Sequence, residues 1–184
     1  MYERYWKLTR KPFGEWTNPE LFFPARSHKM ALNRLSFIVR EQKGMAMLLG
    51  ACGVGKTITL NRLVSDLMEE HTLKVARIVN PHLRGADLLL ALARSFGIST
   101  DSHDPALLHE LLEKTFVEWG GRGVRPLLII EEAHLIVGRQ EFNMLQSLLA
   151  LQAEGLPVLT MLLCGSPYLD RRARTVRGIG ERIA

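Results

Sequence analysis

The stretch Gly50-Ala51-Cys52-Gly53-Val54-Gly55-Lys56-Thr57 constrains this chain more than any other, because it reads G-x-x-x-x-G-K-T between two regular elements. Before it, Met45-Ala46-Met47-Leu48-Leu49 is a short apolar strand; after it, Ile58 to Glu70 reads as an amphipathic helix. A glycine-rich loop in that setting turns its backbone N–H groups inward, and the helix N-terminus adds partial positive charge. Such a loop cradles a triphosphate. Residues 50–58 are therefore the candidate nucleotide-binding set, with Lys56 reaching the β- and γ-phosphates and the Thr57 hydroxyl ligating Mg²⁺.

The rest of the chain alternates in the same way. Turn chemistry and aromatics (Lys11-Pro12-Phe13-Gly14, Asn18-Pro19, Phe22-Phe23-Pro24) open it, and predict an irregular arm whose Trp6, Phe13, Trp16 and Phe23 pack onto the domain. A helix is expected from Ser27, as N-cap, to about Gln42. Leu73–Val79 alternates as a second strand; Ala86–Phe96 is a helix closed by Gly97, and Asp104-Pro105 caps another running to Trp119. Pro126–Ile130 is an unbroken apolar run of the kind a parallel strand covered on both faces needs. Gln140–Gln152 is helical with Gly155 closing it, and Pro157–Cys164 is another buried strand, turned out by Gly165-Ser166-Pro167 into an arginine-rich tail. Strands alternating with helices predict an α/β fold with a parallel sheet flanked by helices. Residues 1–43 form an N-terminal arm and first helix, and 44–184 the core, together one structural domain.

Composition narrows the setting. The 184 residues suffice for one domain with a sizeable core. No apolar run approaches the roughly 20 residues of a membrane span, and the N-terminus lacks a signal-peptide core, so a cytoplasmic setting is expected. Two cysteines supply neither a disulfide framework nor a zinc site; Cys52 and Cys164 read as reduced and unrelated, with a redox pair as the alternative. The net charge of +5 is concentrated at the ends: residues 1–43 carry nine Lys/Arg against four Asp/Glu, and residues 165–184 five against two. Those ends face DNA, anionic lipid or an acidic neighbouring subunit, or are simply solvated.

In open parallel sheets, ligands sit outside the carboxyl ends of the strands. Three such ends carry suitable groups: the phosphate loop, Glu131-Glu132 directly after Ile130, and Ser166 just beyond Cys164. Consecutive acids after a buried strand match the Walker B arrangement, in which Glu131 holds Mg²⁺ through its water shell and Glu132 polarises the attacking water. Ser166 either senses the γ-phosphate or makes the Ser-Pro turn. His134 lacks companions at metal-ligand spacing and reads as a polar contact. Arg171, Arg172, Arg174, Arg177 and Arg182 are candidates to meet phosphates, each with surface charge as the alternative.

These residues resemble the AAA+ ATPases of the general secretion pathway protein A (ExeA-type) family, relatives of transposition ATP-binding proteins and origin-recognition ATPases. The likeness runs from Tyr5–Phe13, Asn18-Pro19, Phe22-Phe23 and Ser27-His28 through the phosphate loop, Asn80-Pro81-His82-Leu83 and Glu132-Ala133-His134 to Gly165-Ser166-Pro167 and Glu181-Arg182-Ile183. It implies ATP and Mg²⁺ as cofactors, hydrolysis, and self-association through an ATP-bridged interface. It places Glu131 at the metal position, Glu132 at the catalytic position, Ser166 at or near sensor 1, Arg182 at the arginine finger, and His28 near adenine. The resemblance suggests a module that drives or gates a larger assembly of secretion or envelope type, with a protein client, cytoplasmic and peripheral to the inner membrane through its partners. Alternatives are an ATP-dependent DNA-binding regulator and a nucleotide-dependent scaffold that hydrolyses little.

Three departures from the family stand out, one being Ser166 itself, since sensor 1 more often carries a longer amide or an Asn or Thr than a serine. Glu131 takes a position normally held by Asp, carrying its carboxylate about 1.5 Å farther out. The chain also stops at Ala184, where family members continue into a fifth strand and a helical lid. The expected fold is thus a P-loop sheet without either, truncated at the C-terminus. In the strand order 5-1-4-3-2 this leaves the phosphate-loop strand at an edge.

Overall fold

A computed structural model describes residues 2–9, 19–68, 70–79, 81–136 and 138–174. A helical turn α1 (Tyr2–Tyr5) and a 3-10 turn (Pro19–Leu21) precede α2 (Arg26–Arg40). Then follow β1 (Met45–Leu49), α3 (Lys56–Leu67), β2 (Leu73–Ile78), α4 (Gly85–Ser95), α5 (Pro105–Gly121) and β3 (Arg125–Ile130). A second 3-10 turn (Ala133–Leu135) leads to α6 (Arg139–Leu149), the short strands β4 (Gln152–Ala153) and β5 (Leu156–Pro157), then β6 (Thr160–Gly165) and α7 (Tyr168–Arg174).

The four long strands form one parallel sheet in the order β1-β6-β3-β2, matching the expected sequence of strands and leaving β1 at an edge of the described sheet. The central strands β3 and β6 are buried almost throughout. Their apolar side chains alternate between two cores, as the pleat requires. Ala46, Leu127, Ile129, Leu162 and Cys164 face Leu35, Ile38 and Val39 of α2 and Leu60, Leu63 and Leu67 of α3. Met45, Ile78, Leu128, Ile130, Met161 and Leu163 face α4, α5, α6 and Leu169 of α7. Helices on both faces explain why β3 and β6 carry no polar stripe.

Local chemistry sets some boundaries and not others. Asp104 caps α5 as expected, its carboxylate accepting from Ala106 N at 2.8 Å and Leu107 N at 3.1 Å, with Pro105 in the first turn. Ser27 does not cap α2. That helix begins at Arg26, behind Ala25, and has no side-chain cap. The predicted strand over 157–164 and the helix end at Gln152 also need correction. Glu154 (φ 53°) and Gly155 (φ 80°) both adopt positive φ, the requirement of a two-residue I′ turn, so Gln152–Pro157 folds as a hairpin and the parallel strand starts only at Thr160. Gly155 thus closes a hairpin rather than a helix.

The arm differs from expectation as well. Trp6 and Phe23 are 68% and 83% exposed instead of packed on the domain. Trp6 meets Tyr5 edge-on at 5.0 Å, while Phe22 turns inward onto His28 at 5.9 Å. Neighbouring side chains of an extended segment point opposite ways, so Phe22 facing in leaves Phe23 facing water. Phe13 and Trp16 lie outside the described residues.

Candidate functional site

The parallel register brings the expected strand ends into one row. Leu49 pairs with Gly165, Ile130 with Leu163, and Ile78 with Ile130. Gly50 N donates to Gly165 O at 3.1 Å, and Glu131 N to Ile78 O at 2.9 Å. The phosphate loop, Ser166 and Glu131-Glu132 therefore share the carboxyl edge of the sheet.

The loop takes the shape its glycines permit. Gly53 and Gly55 have φ of 78° and 90°, values that side chains resist. At Gly50 an added Cβ would lie 2.8 Å from Val54 Cγ2, and at Gly55 it would lie 3.0 Å from His28 Nε2. The helix α3 begins at Lys56, two residues earlier than its apolar pattern suggests, so Lys56, Thr57 and Ile58 form its first turn. Lys56 Nζ donates to Gly50 O at 3.0 Å and Ala51 O at 2.8 Å, folding back across the loop. Ala51, Cys52, Gly53 and Val54 are exposed.

His28 reaches the loop from α2. Its Nε2 lies 2.8 Å from Val54 O, while the buried Nδ1 has no hydrogen-bond partner among the described residues. Beside it is a cavity of about 260 Å³ whose walls include Ala31, Leu48, Leu49, Val54 and Lys56. A larger cavity of about 540 Å³ lies between α2 and α3, and none of the candidate residues lines it.

Glu131 is the best-held acid in the site. It is buried (5% exposed), and the Thr57 hydroxyl donates to its Oε2 at 2.8 Å. Arg77 of β2 places Nε and Nη2 each 2.5 Å from Oε1, and its Nη1 donates to Asn61 Oδ1 at 2.5 Å. The motifs do not single out Arg77 or Asn61. The available signal is positional: Arg77 continues the Leu73, Val75 face of β2, which packs beneath α3, at the strand end nearest the ligand edge.

Glu132 follows with φ 48° and ψ 35°, a left-handed conformation unusual for a side-chain residue. That backbone swings it away from Glu131's buried setting and leaves its side chain 45% exposed, with Oε2 3.5 Å from His134 Nδ1. The same ring nitrogen accepts from Ser166 N at 3.4 Å, and Arg172 Nη1 donates to His134 O at 2.9 Å. One ring nitrogen cannot both accept from the Ser166 amide and donate to a carboxylate, so His134 Nδ1 faces the second acid and the end of β6 but bonds to one of them at a time. Ser166 contributes its backbone there, while its carbonyl accepts from Leu169 N at the start of α7. Arg177 and Arg182 lie outside the described residues.

Among the described residues, no three His, Cys, Asp or Glu side chains gather as a metal cluster. The paired oxygens of Thr57 and Glu131 suit Mg²⁺ nonetheless, since it takes few protein ligands and keeps several waters. Cys52 is exposed and Cys164 buried, and both are free thiols. Burial, then the nearby Glu131 carboxylate, pushes the Cys164 thiol up to about 12, which keeps it protonated. No helix among the described residues is long and apolar enough to cross a membrane.

Comparison with known proteins agrees with this geometry. The general secretion pathway protein A of Aeromonas hydrophila is 29% identical over 187 aligned residues, covering 100% of this chain and 34% of that protein. Among solved structures, Cdc6p from Pyrobaculum aerophilum superposes with a TM-score of 0.71 at 18% identity, covering 94% of this chain and 47% of the other. The Aeropyrum pernix ORC2 protein, solved as ADPNP–ADP complexes, gives 0.68 at 15%, covering 94% and 49%. At those identities the two structures establish the fold. The chain spans about a third of the secretion relative and about half of each solved structure. A model described as AAA domain matches residues 39–173, most of the sequence. The chain belongs to the AAA domain family, as a P-loop module with the AAA+ fold seen in Cdc6 and ORC proteins.

Proposed function

We propose that this chain binds ATP with Mg²⁺ and hydrolyses it, as the motor or gate of a larger assembly. The observation that carries the reading is the 2.8 Å bond from the Thr57 hydroxyl to Glu131 Oε2, which joins the first turn of the phosphate-loop helix to the acidic end of β3. A P-loop without that partner binds phosphate; with it, an oxygen pair stands ready for a hard cation. The cavity beside His28, with Ala31, Leu48, Leu49 and Val54 in its wall and a ring nitrogen that has no partner among the described residues, suits a nucleobase. The ORC2 relative solved with ADPNP and ADP supports the same class of ligand.

In the proposed reaction, Lys56 leaves the Gly50 and Ala51 carbonyls and turns to the β- and γ-phosphates, while the loop N–H groups hold the chain of phosphates. Bound Mg²⁺ would neutralise the developing phosphate charge, held through Thr57 and the waters that Glu131 orients. Glu132 orients a water and takes its proton as the water oxygen bonds to the γ-phosphorus. The bond to the bridging oxygen breaks, and ADP and phosphate leave. His134 Nδ1 can bond either that carboxylate or the Ser166 amide at the end of β6, and exchange between the two is a route by which the γ-phosphate state reaches α7. Arg182 is proposed to serve a neighbour's site.

Titration with a fluorescent ATP analogue tests this. The wild-type chain should bind it more tightly with Mg²⁺ than with EDTA, and Lys56→Ala should lose at least tenfold in affinity, about 1.4 kcal/mol. Equal affinities for both chains would sink the reading.

A further inference from the structure

Glu131 poses a question that the phosphate-loop motifs leave open. A glutamate has one more rotatable bond than an aspartate, so its carboxylate is freer to swing and needs more restraint to present one oxygen to one partner. The observed restraint comes from β2. Arg77 places two nitrogens, Nε and Nη2, each 2.5 Å from Oε1, and its third, Nη1, donates to Asn61 Oδ1 at 2.5 Å. Asn61 stands four residues after Thr57 on α3, hence on the same helix face. The four side chains close a ring: Thr57 to Glu131, Glu131 to Arg77, Arg77 to Asn61, and back through one turn of α3. With Oε1 occupied, Oε2 is left for the Thr57 hydroxyl and for the water shell of a cation. The planar guanidinium fork suits this task, since it meets a carboxylate and a carboxamide in one rigid plane.

We propose that Arg77, anchored by Asn61, is a positioning residue that fixes the Glu131 carboxylate for Mg²⁺, the role that the shorter side chain of an aspartate fills by itself. The inference rests on the proposed Mg²⁺-dependent nucleotide binding. It makes a signed prediction, because the guanidinium acts in two opposite ways. Its charge repels a cation, so removing charge alone would lower the Mg²⁺ concentration needed. Its hydrogen bonds orient Glu131, so removing orientation raises that concentration. The buried carboxylate and the closed ring make orientation the larger effect.

The test is a Mg²⁺ titration of wild type, Arg77→Ala, Arg77→Lys and Asn61→Ala, read by fluorescence of a bound ATP analogue. Parallel titrations in EDTA report metal-free nucleotide binding. Arg77→Ala should raise the half-saturating Mg²⁺ concentration about tenfold, the usual scale for a residue behind a metal ligand. Affinity in EDTA should fall by less than the Mg²⁺ requirement rises, because the phosphate loop itself is untouched. Arg77→Lys should shift at least as far, since an ammonium keeps the charge that repels the cation but not the fork that orients Glu131. Asn61→Ala should move in the same direction by less. A half-saturating concentration that is unchanged or lowered in Arg77→Ala would overturn the proposal while leaving the ATP reading intact. Failure of the wild type to bind the analogue at all would instead defeat that underlying reading. Should Arg77→Ala fold poorly, Arg77→Lys and Asn61→Ala carry the same test, and normal melting with unchanged Mg²⁺ dependence in both would equally overturn it.

Discussion

Thr57, the second residue of α3, and Glu131, the first residue after β3, are 74 positions apart in sequence and joined by a 2.8 Å hydrogen bond. The bond spans the boundary between the loop that receives phosphate and the strand end that supplies negative charge. Thr57→Ala removes the donor and leaves Glu131 Oε2 buried without it. The Mg²⁺-dependent gain in nucleotide affinity should fall about tenfold, while Thr57→Ser keeps the hydroxyl and stays within about twofold of wild type. Fluorescent-analogue titrations with and without Mg²⁺ check both.

His28 ties α2 to the loop through Val54 O, at 2.8 Å. His28→Ala should loosen that loop and enlarge the neighbouring cavity. One neutral hydrogen bond is worth about 1 kcal/mol, so the ADP dissociation constant should rise about fivefold. Calorimetric titration with ADP measures it, and an unchanged constant would place His28 outside the nucleotide's reach.

Much of this arrangement is readable from residue order. Met45–Leu49, Pro126–Ile130 and the run ending at Cys164 are apolar strands covered on both faces, and the groups after each share an edge because parallel strands all end on the same side. Glu131 opposite Thr57 follows from two spaced motifs. What escapes such reading depends on contacts that spacing does not encode. Arg77 sits in an alternating edge strand, where a charge ordinarily means solvent, and its partners Asn61 and Glu131 are 16 and 54 positions away. The hairpin at Gln152–Pro157 rests on positive φ at Glu154, a residue without the glycine or asparagine signature that marks such turns. The place of His134 between Glu132 and Ser166 depends on the left-handed turn at Glu132, which the Glu-Ala-His sequence does not announce.

Cys164 offers a pH test of the core. Its thiol is pushed up to about 12 by burial and by Glu131, from an ordinary value of 9.0. A raised value means the native state holds its proton longer than the unfolded chain does. The associated stability is complete below pH 9 and is lost as the pH climbs from 9 toward 12. Melting temperatures should therefore fall more steeply above pH 9 in wild type than in Cys164→Ala. At pH 8, a thiol reagent should modify exposed Cys52 quickly and spare Cys164 until the chain unfolds. Equal rates for the two thiols would contradict the buried placement of β6.

Asp104 tests the fold apart from the site. Asp104→Ala removes two acceptor contacts at the start of α5 and should cost about 1 kcal/mol. For a chain of this length that lowers the melting temperature by about 2–4 °C. Nucleotide affinity should be unchanged, since α5 lies on the sheet face opposite α2 and α3.

The most direct test of the proposed ATPase is steady-state phosphate release with Mg²⁺-ATP, comparing wild type with Glu132→Gln. The glutamine keeps shape and loses the ability to take a proton, so nucleotide should still bind. Release should fall about a hundredfold or more, the contribution typical of a positioned general base. Equal rates for the two chains, whether both active or both at background, would contradict hydrolysis by Glu132.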